Sequence, residues 1–200
     1  MRRLPALIAV CTLALTATIT AQEIGSIDEI KPMYLHTALV ADGRANCVVA
    51  AAEDEPWASF ADQVADAIEQ HLGVRPPIVP ASDVGEETLQ STNVIVPGIF
   101  CFNEVAETLY IREYIMCDYA WPQGPESYAI RTVHNPWLSG TNAVFLGSAS
   151  VEGMTAALER FEAILAEHPD GVLPPIIEVA TDDPEADLDA DALAETTAEI

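Results

Sequence analysis

Positive charge is what this chain has least of. Eight Lys and Arg stand against 32 Asp and Glu, for a formal net charge of −24, and Lys31 is the only lysine. A surface this acidic repels a phosphate backbone, which excludes general nucleic-acid binding. It opposes an anionic membrane surface for the same reason. Aromatic residues are few, at 6%. Beyond the first segment, no apolar run approaches the roughly 20 residues that a membrane-spanning helix needs. There is no Cys-x-x-Cys pair and the four His are scattered, so no metal is expected. Gly-x-Gly-x-x-Gly, a Gly-rich loop ending in Lys, and Gly-x-Ser-x-Gly are all missing. Those are the signatures of nucleotide binding and of an elbow-borne nucleophile, and no cofactor is expected. Apolar residues, by contrast, make up 50% of the chain. That is enough to bury a core and to exclude global disorder. The length of 200 residues suits one domain with tails.

Residues 1–21 read as a secretory signal peptide. Arg2 and Arg3 precede an apolar run from Leu4 to Ile19, and Thr20-Ala21 supplies the small residue before the cut. An uncleaved N-terminal anchor is the alternative. Cleavage predicts a secreted or periplasmic protein with no membrane attachment. It would remove two bases and no acid, taking the charge from −24 to −26. The remaining cysteines are Cys47, Cys101 and Cys117. Cys101–Cys117 is the disulfide candidate, since closing a loop near 15 residues contributes about 3 kcal/mol in the chain-entropy picture. Three free thiols are the competing expectation.

Residues 22–45 form a mixed lead-in, with a short strand expected within Tyr34–Val40. The domain proper is expected over 46–177. Cys47–Ala52 and Asn93–Pro97 are apolar runs of the buried-strand type. Trp57, Phe60, Val64, Ile68 and Leu72 recur at helical spacing, with Pro56 in the first turn and Gly73 as the helix-ending residue. Pro76, Pro77 and Pro80 push the strand over Val74–Val79 to a sheet edge. Asn103 is placed to cap a helix over Glu104–Tyr114. Two strands, Ser127–Val133 and Asn142–Gly147, flank a turn at Asn135–Gly140. Ser150 is placed to cap a helix with Met154, Leu158, Phe161 and Leu165 on its apolar stripe. This order predicts an α+β fold, a two-layer mixed β-sheet with about three helices packed on it. Residues 178–200 hold nine acids and no base and read as an acidic linker or tail, leading into a further domain.

Candidate chemistry is sparse. Gly147–Gly153 joins a strand to a helix, but its spacing fits helix capping by Ser150 rather than a phosphate cradle or nucleophile elbow. Ser150 with His134 lacks a nucleophile signature. Glu104 and Glu107 share a helix face, where a solvated acidic surface is the plain reading. No catalytic residue is therefore assigned. Tyr110, Tyr114, Tyr119, Trp121 and Tyr128 crowd one loop, with Trp137 on a nearby turn. Tyr119, Trp121, Tyr128 and Trp137 are the candidates for stacking on sugar rings; anchoring the loop to the core is the alternative.

Several segments together carry a resemblance. They are Phe60-Ala61-Asp62 through Gly73-Val74-Arg75-Pro76-Pro77-Ile78-Val79, then Val94-Ile95-Val96-Pro97-Gly98, then Glu126–Arg131. Asn142–Ser148 follows, with an Ala-rich helix ending Arg160-Phe161. Over about 120 residues the chain resembles the N-terminal domain that precedes the catalytic domain of beta-hexosaminidases and alpha-glucuronidases. Similar segments precede heparinase-like lyase domains. The resemblance implies a secreted, non-catalytic accessory domain of a carbohydrate-active enzyme. Its implied partner is a catalytic domain beyond Ile200, with polysaccharide as a further partner. A stand-alone exported glycan-binding module and a small hydrolase are the alternatives.

Overall fold

The computed structural model describes residues 32–181. The expected signal peptide and residues 182–200 of the acidic segment lie outside the described residues. The chain runs through β1 (Thr37–Ala38), β2 (Val40–Ala41), β3 (Arg44–Ala45), β4 (Cys47–Ala51), α1 (Ser59–Leu72), β5 (Ile78–Pro80), α2 (Glu86–Ser91) and β6 (Asn93–Pro97). It continues with α3 (Glu104–Ile111), β7 (Tyr128–Val133), β8 (Ala143–Gly147), α4 (Val151–Glu167), β9 (Val172–Leu173) and β10 (Ile177–Ala180). Six strands form one sheet in the order β10-β7-β8-β6-β4-β5. β5, β4, β6 and β8 are mutually parallel, while β7 pairs antiparallel with both β8 and β10, so β7 alone is reversed. The mixed sheet with helices packed on it is the α+β architecture that the residues imply. β5 lies at an edge, where its prolines cost no ladder bond.

Every residue of β6 and β8 is buried, and the alternation along the strands explains why. Val49, Ile95, Val144 and Leu146 pack against Phe60, Val64 and Ile68 of α1 and Met154, Phe161 and Leu165 of α4. The residues in between, Ala50, Val94, Val96 and Phe145, belong to a second cluster with Val105 and Leu109 of α3 and with Ile115 and Cys117. The sheet is thus covered on both faces, three layers where two are expected, which is why its central strands read as unbroken apolar runs. Each fully buried large side chain contributes roughly 1.5–3 kcal/mol.

Local chemistry sets the ends of the helices. Gly73 adopts φ 73° and closes α1 through its N–H to the Glu69 carbonyl. The chain then reverses, and Arg75 reaches back to Asp62 at 2.9 Å and to Asp66 and Glu69. So the acidic face of α1, which has no base of its own, finds one beyond the helix. Ser150 caps α4 by accepting from Gly153 N at 2.9 Å.

Several local features differ from the expectation. Helix α1 begins at Ser59, three residues past Pro56. The polar stretch 81–90 contains a 3-10 turn and most of α2. Strand β10 pairs with β7 and continues the sheet into the acidic segment, where Glu178 is held by Arg160 of α4, whose Nε donates to both carboxylate oxygens at 2.8 and 3.1 Å. The lead-in is a strap rather than one strand. Asn142 Nδ2 donates to Tyr34 O at 2.8 Å and Thr37 Oγ1 at 2.9 Å. Asn135 Nδ2 donates to Pro32 O at 3.1 Å.

Candidate functional site

Strand order decides where a site can form. β4 has β5 on one side and β6 on the other. The chain leaves β4 for β5 and then returns past it to β6, so the connections diverge from the β4–β6 gap. In open α/β sheets the crevice at the carboxyl ends of such strands is where ligands are held. Here that crevice is a cavity of about 160 Å³. Glu53 and Asp54 follow β4, Phe100, Cys101 and Phe102 follow β6, and Glu104 and Glu107 come from α3. Four carboxylates and no Lys or Arg line it, so the cavity is an anion-repelling one.

Asn103 joins the parts. Its side chain is buried and uses both ends. Oδ1 accepts from Val105 N at 3.1 Å and Ala106 N at 3.2 Å, capping α3. Nδ2 donates to Ala50 O at 2.8 Å on β4 and to Pro97 O at 3.1 Å on β6. One amide therefore locks the two strand ends and the helix together.

Aromatic rings run along the same edge. Trp57 stacks on Phe102 with centroids 4.5 Å apart, and Phe100 stacks on Tyr110 at 4.6 Å. Tyr119 meets both stacks edge-on, 6.3 Å from Phe102 and 6.2 Å from Phe100. Edge-to-face contacts at these distances are favourable. The hydrogen bond to the Cys101 thiol raises the Tyr119 pKa above its ordinary value, with smaller contributions from burial and the thiol's charge. Tyr110 is raised in the same direction, first by its hydrogen bond to Asp118 and then by that carboxylate's charge.

The four stacking candidates are divided among three places. Tyr119 and Trp121 are exposed on the loop after α3. That loop is anchored to the core, but by Ile115 and Cys117, which enter the second apolar layer. Asp118 shapes its tip by accepting from Ala120 N at 2.7 Å and Trp121 N at 3.1 Å. Tyr128 lies on the other face of the sheet, where its hydroxyl meets Glu178 at 3.4 Å. Trp137 sits in the turn between β7 and β8, at the amino ends of the parallel strands. It is separated from Tyr119 by the length of β7, about 17 Å for six residues. His134 is at that far edge too, with Nδ1 2.8 Å from Tyr34 O, whereas Ser150 follows β8 at the near edge, so the two cannot form a catalytic pair. Glu104 and Glu107 are exposed, as a solvated acidic face requires, and both also border the cavity. Glu53, Asp54, Trp57, Phe100 and Phe102 are site residues that sequence spacing does not single out. The signal that finds them is strand order. No family model and no curated protein matches this chain.

The disulfide expected between Cys101 and Cys117 is absent; both are free thiols, as is Cys47. Cys117 is buried under Phe145 and Gly147 while Cys101 is exposed beside Tyr119. Burial pushes the Cys47 thiol up from 9.0 to about 12, and burial plus the nearby Asp118 charge does the same to Cys117. At pH 9 an ordinary thiol is half ionised and these two are not, so they stay unreactive. Iodoacetamide treatment of the native protein at that pH, followed by peptide mass mapping, is expected to label Cys101 and spare Cys47 and Cys117. Labelling of all three at equal rates would contradict the burial.

Proposed function

We propose that the chain is a non-catalytic accessory domain of an exported carbohydrate-active enzyme, and that it contacts glycan at the carboxyl edge of its sheet. The observation that carries this reading is the row of aromatic rings that opens at Tyr119 beside the carboxylate-lined cavity. Aromatic faces stack on the apolar faces of sugar rings, and carboxylates accept hydrogen bonds from hydroxyl and amino groups. The resemblance to the domains preceding glycosidase and lyase catalytic domains supports the polysaccharide context. The catalytic partner lies beyond Ile200 in this reading.

Charge narrows the ligand. A cavity lined by Glu53, Asp54, Glu104 and Glu107 repels uronate and sulfate groups. It favours neutral hexosamine or amino-sugar units. Titration of neutral, amino and uronate oligosaccharides into the full chain, followed by tryptophan fluorescence, tests both claims. Trp57 and Trp121 are expected to respond to neutral and amino sugars, and Trp137 at the far edge is not. Tyr119→Ala is expected to weaken binding roughly 3- to 10-fold, the range of one aromatic contact. No response to any sugar at millimolar concentration would sink the reading. A preference for uronates would sink the charge argument. Intact mass of the protein from its native cells tests export: the chain should lack residues 1–21.

A further inference from the structure

The two edges of the sheet are treated differently. The β5 edge carries Pro76, Pro77 and Pro80 in and beside a three-residue strand, the usual guard against pairing with another chain. The β10 edge, Ile177-Glu178-Val179-Ala180, has neither Pro nor Lys. Among the described residues β10 pairs with β7 alone.

Register shows which backbone groups that edge offers. Ile177 opposes Arg131 and Val179 opposes Ala129. One step back, Thr132 N donates to Ile176 O at 2.8 Å, so Ile176 belongs to a hydrogen-bonded pair. Bonded and non-bonded pairs alternate in an antiparallel ladder. Glu178 and Ala180 therefore bond to β7, while Ile177 and Val179 turn their N–H and C=O groups to the open side. Their side chains also stand free. With Ile111, Met116 and Trp121 they make an apolar patch whose members are 42% to 78% exposed. Met116, Trp121, Ile177 and Val179 line one shallow hollow together with Arg131 and Glu178, and Met116 adjoins Ile111 in the next, with Glu113 and Asp118 at its rim.

We propose that β10 accepts an extended segment of a partner protein by strand addition, and that the segment alternates apolar residues with Lys or Arg. The apolar residues of the added strand cover Ile177, Val179 and Trp121, and its backbone pairs with the outward groups of Ile177 and Val179. Charge selects the occupant. Between residues 32 and 181 there are 21 Asp and Glu against five Arg, so a basic segment is drawn in. A second copy of this chain is repelled, and so is the chain's own stretch 182–200, which holds eight acids and no base. Trp121 borders both surfaces, but the β10 edge lies outside the carboxylate-lined cavity, and neither proposal depends on the other.

The probes are fluorescein-labelled decapeptides added to the full chain in 150 mM salt, followed by anisotropy: alternating Val-Lys, the same peptide with every second Val replaced by Pro, and alternating Val-Glu. Saturable binding of the Val-Lys peptide alone is expected. Val179→Pro removes an outward donor without touching the β7 ladder, and should weaken that binding at least tenfold with an unchanged circular-dichroism spectrum. If Val179→Pro fails to fold, Ile177→Lys, which keeps the backbone and puts a repelling charge in the patch, should give the same loss. Equal binding of the Pro-interrupted peptide would reduce the effect to charge attraction and overturn the proposal. It is equally overturned by Val-Lys binding that both variants leave intact, by binding that appears only after truncation at Thr181, or by a dimer that Ile177→Lys dissociates.

Discussion

Asn103→Ala is expected to lower the unfolding free energy by about 2–4 kcal/mol, combining a lost helix cap with two buried carbonyls left short of a donor. Asn103 Nδ2 holds Ala50 O and Pro97 O, and Oδ1 holds the first N–H groups of α3. Asn103→Asp makes the sharper test. Asp is as good a helix cap as Asn in general, and it would keep the acceptor. Its second oxygen, however, would face two carbonyl oxygens inside the protein. The loss is therefore expected to equal or exceed that of Asn103→Ala, read as the midpoint of urea unfolding at pH 7. A fully stable Asp variant would mean that the amide does not bridge β4 and β6. Because the same side chain positions Phe102 and Glu104 on either side of it, sugar-induced fluorescence from the site should fall in both variants.

Gly153→Ala is expected to cost about 2–4 kcal/mol, lowering the melting temperature by on the order of 5–15 °C. In an ordinary helix the same change stabilises, since Gly is roughly 1 kcal/mol worse than Ala there. The sign reverses because of where the first turn of α4 lies. A methyl group on Gly153 would overlap Ser148 Oγ and the Ser127 carbonyl, and would stand 2.9 Å from Ser150 Oγ. The serine hydroxyls are themselves engaged. Ser148 Oγ donates to Ser127 O at 2.7 Å and accepts from Ser150 N at 3.2 Å. Relief would require shifting the start of β7 away from α4. Gly85→Ala is the control, because nothing lies within 4 Å of its added methyl; it should stay within about 1 kcal/mol of the parent. Calorimetry of the three proteins decides it. A Gly153→Ala protein at least as stable as the parent would show that α4 does not approach β7 this closely. The glycines of Gly147–Gly153 are thus there for close packing, which accounts for their phosphate-loop look without a phosphate.

Much of the fold is readable from neighbouring residues. The stripes of α1 and α4, the apolar runs of β6 and β8, the caps at Asn103 and Ser150, the left-handed Gly73 and the proline-guarded edge β5 are all local devices. Each is written in a few consecutive positions, and each is found as expected. Strand β10 was harder to read, because Ile177 and Val179 alternate with Glu178 at the border of an acidic stretch. What makes it a strand is its pairing with β7, with Glu178 held from another element by Arg160.

The site depended on non-local facts. Tyr119, Trp121, Tyr128 and Trp137 look like one cluster along the chain, yet strand direction sends Trp137 to the opposite edge and residue parity sends Tyr128 to the opposite face. Trp57 and Phe102, 45 positions apart, stack because β4 and β6 are neighbours. Glu53 and Asp54 meet Glu104 and Glu107 for the same reason. The sequence by itself determined the acidic, lysine-poor composition, the elements and their caps, since these follow from residue type and short-range spacing. Only the tertiary structure decided the order β10-β7-β8-β6-β4-β5, and with it the cavity, the aromatic row and the open β10 edge. Pairing between distant strands is chosen by long-range packing and register, to which no short stretch of sequence is sensitive.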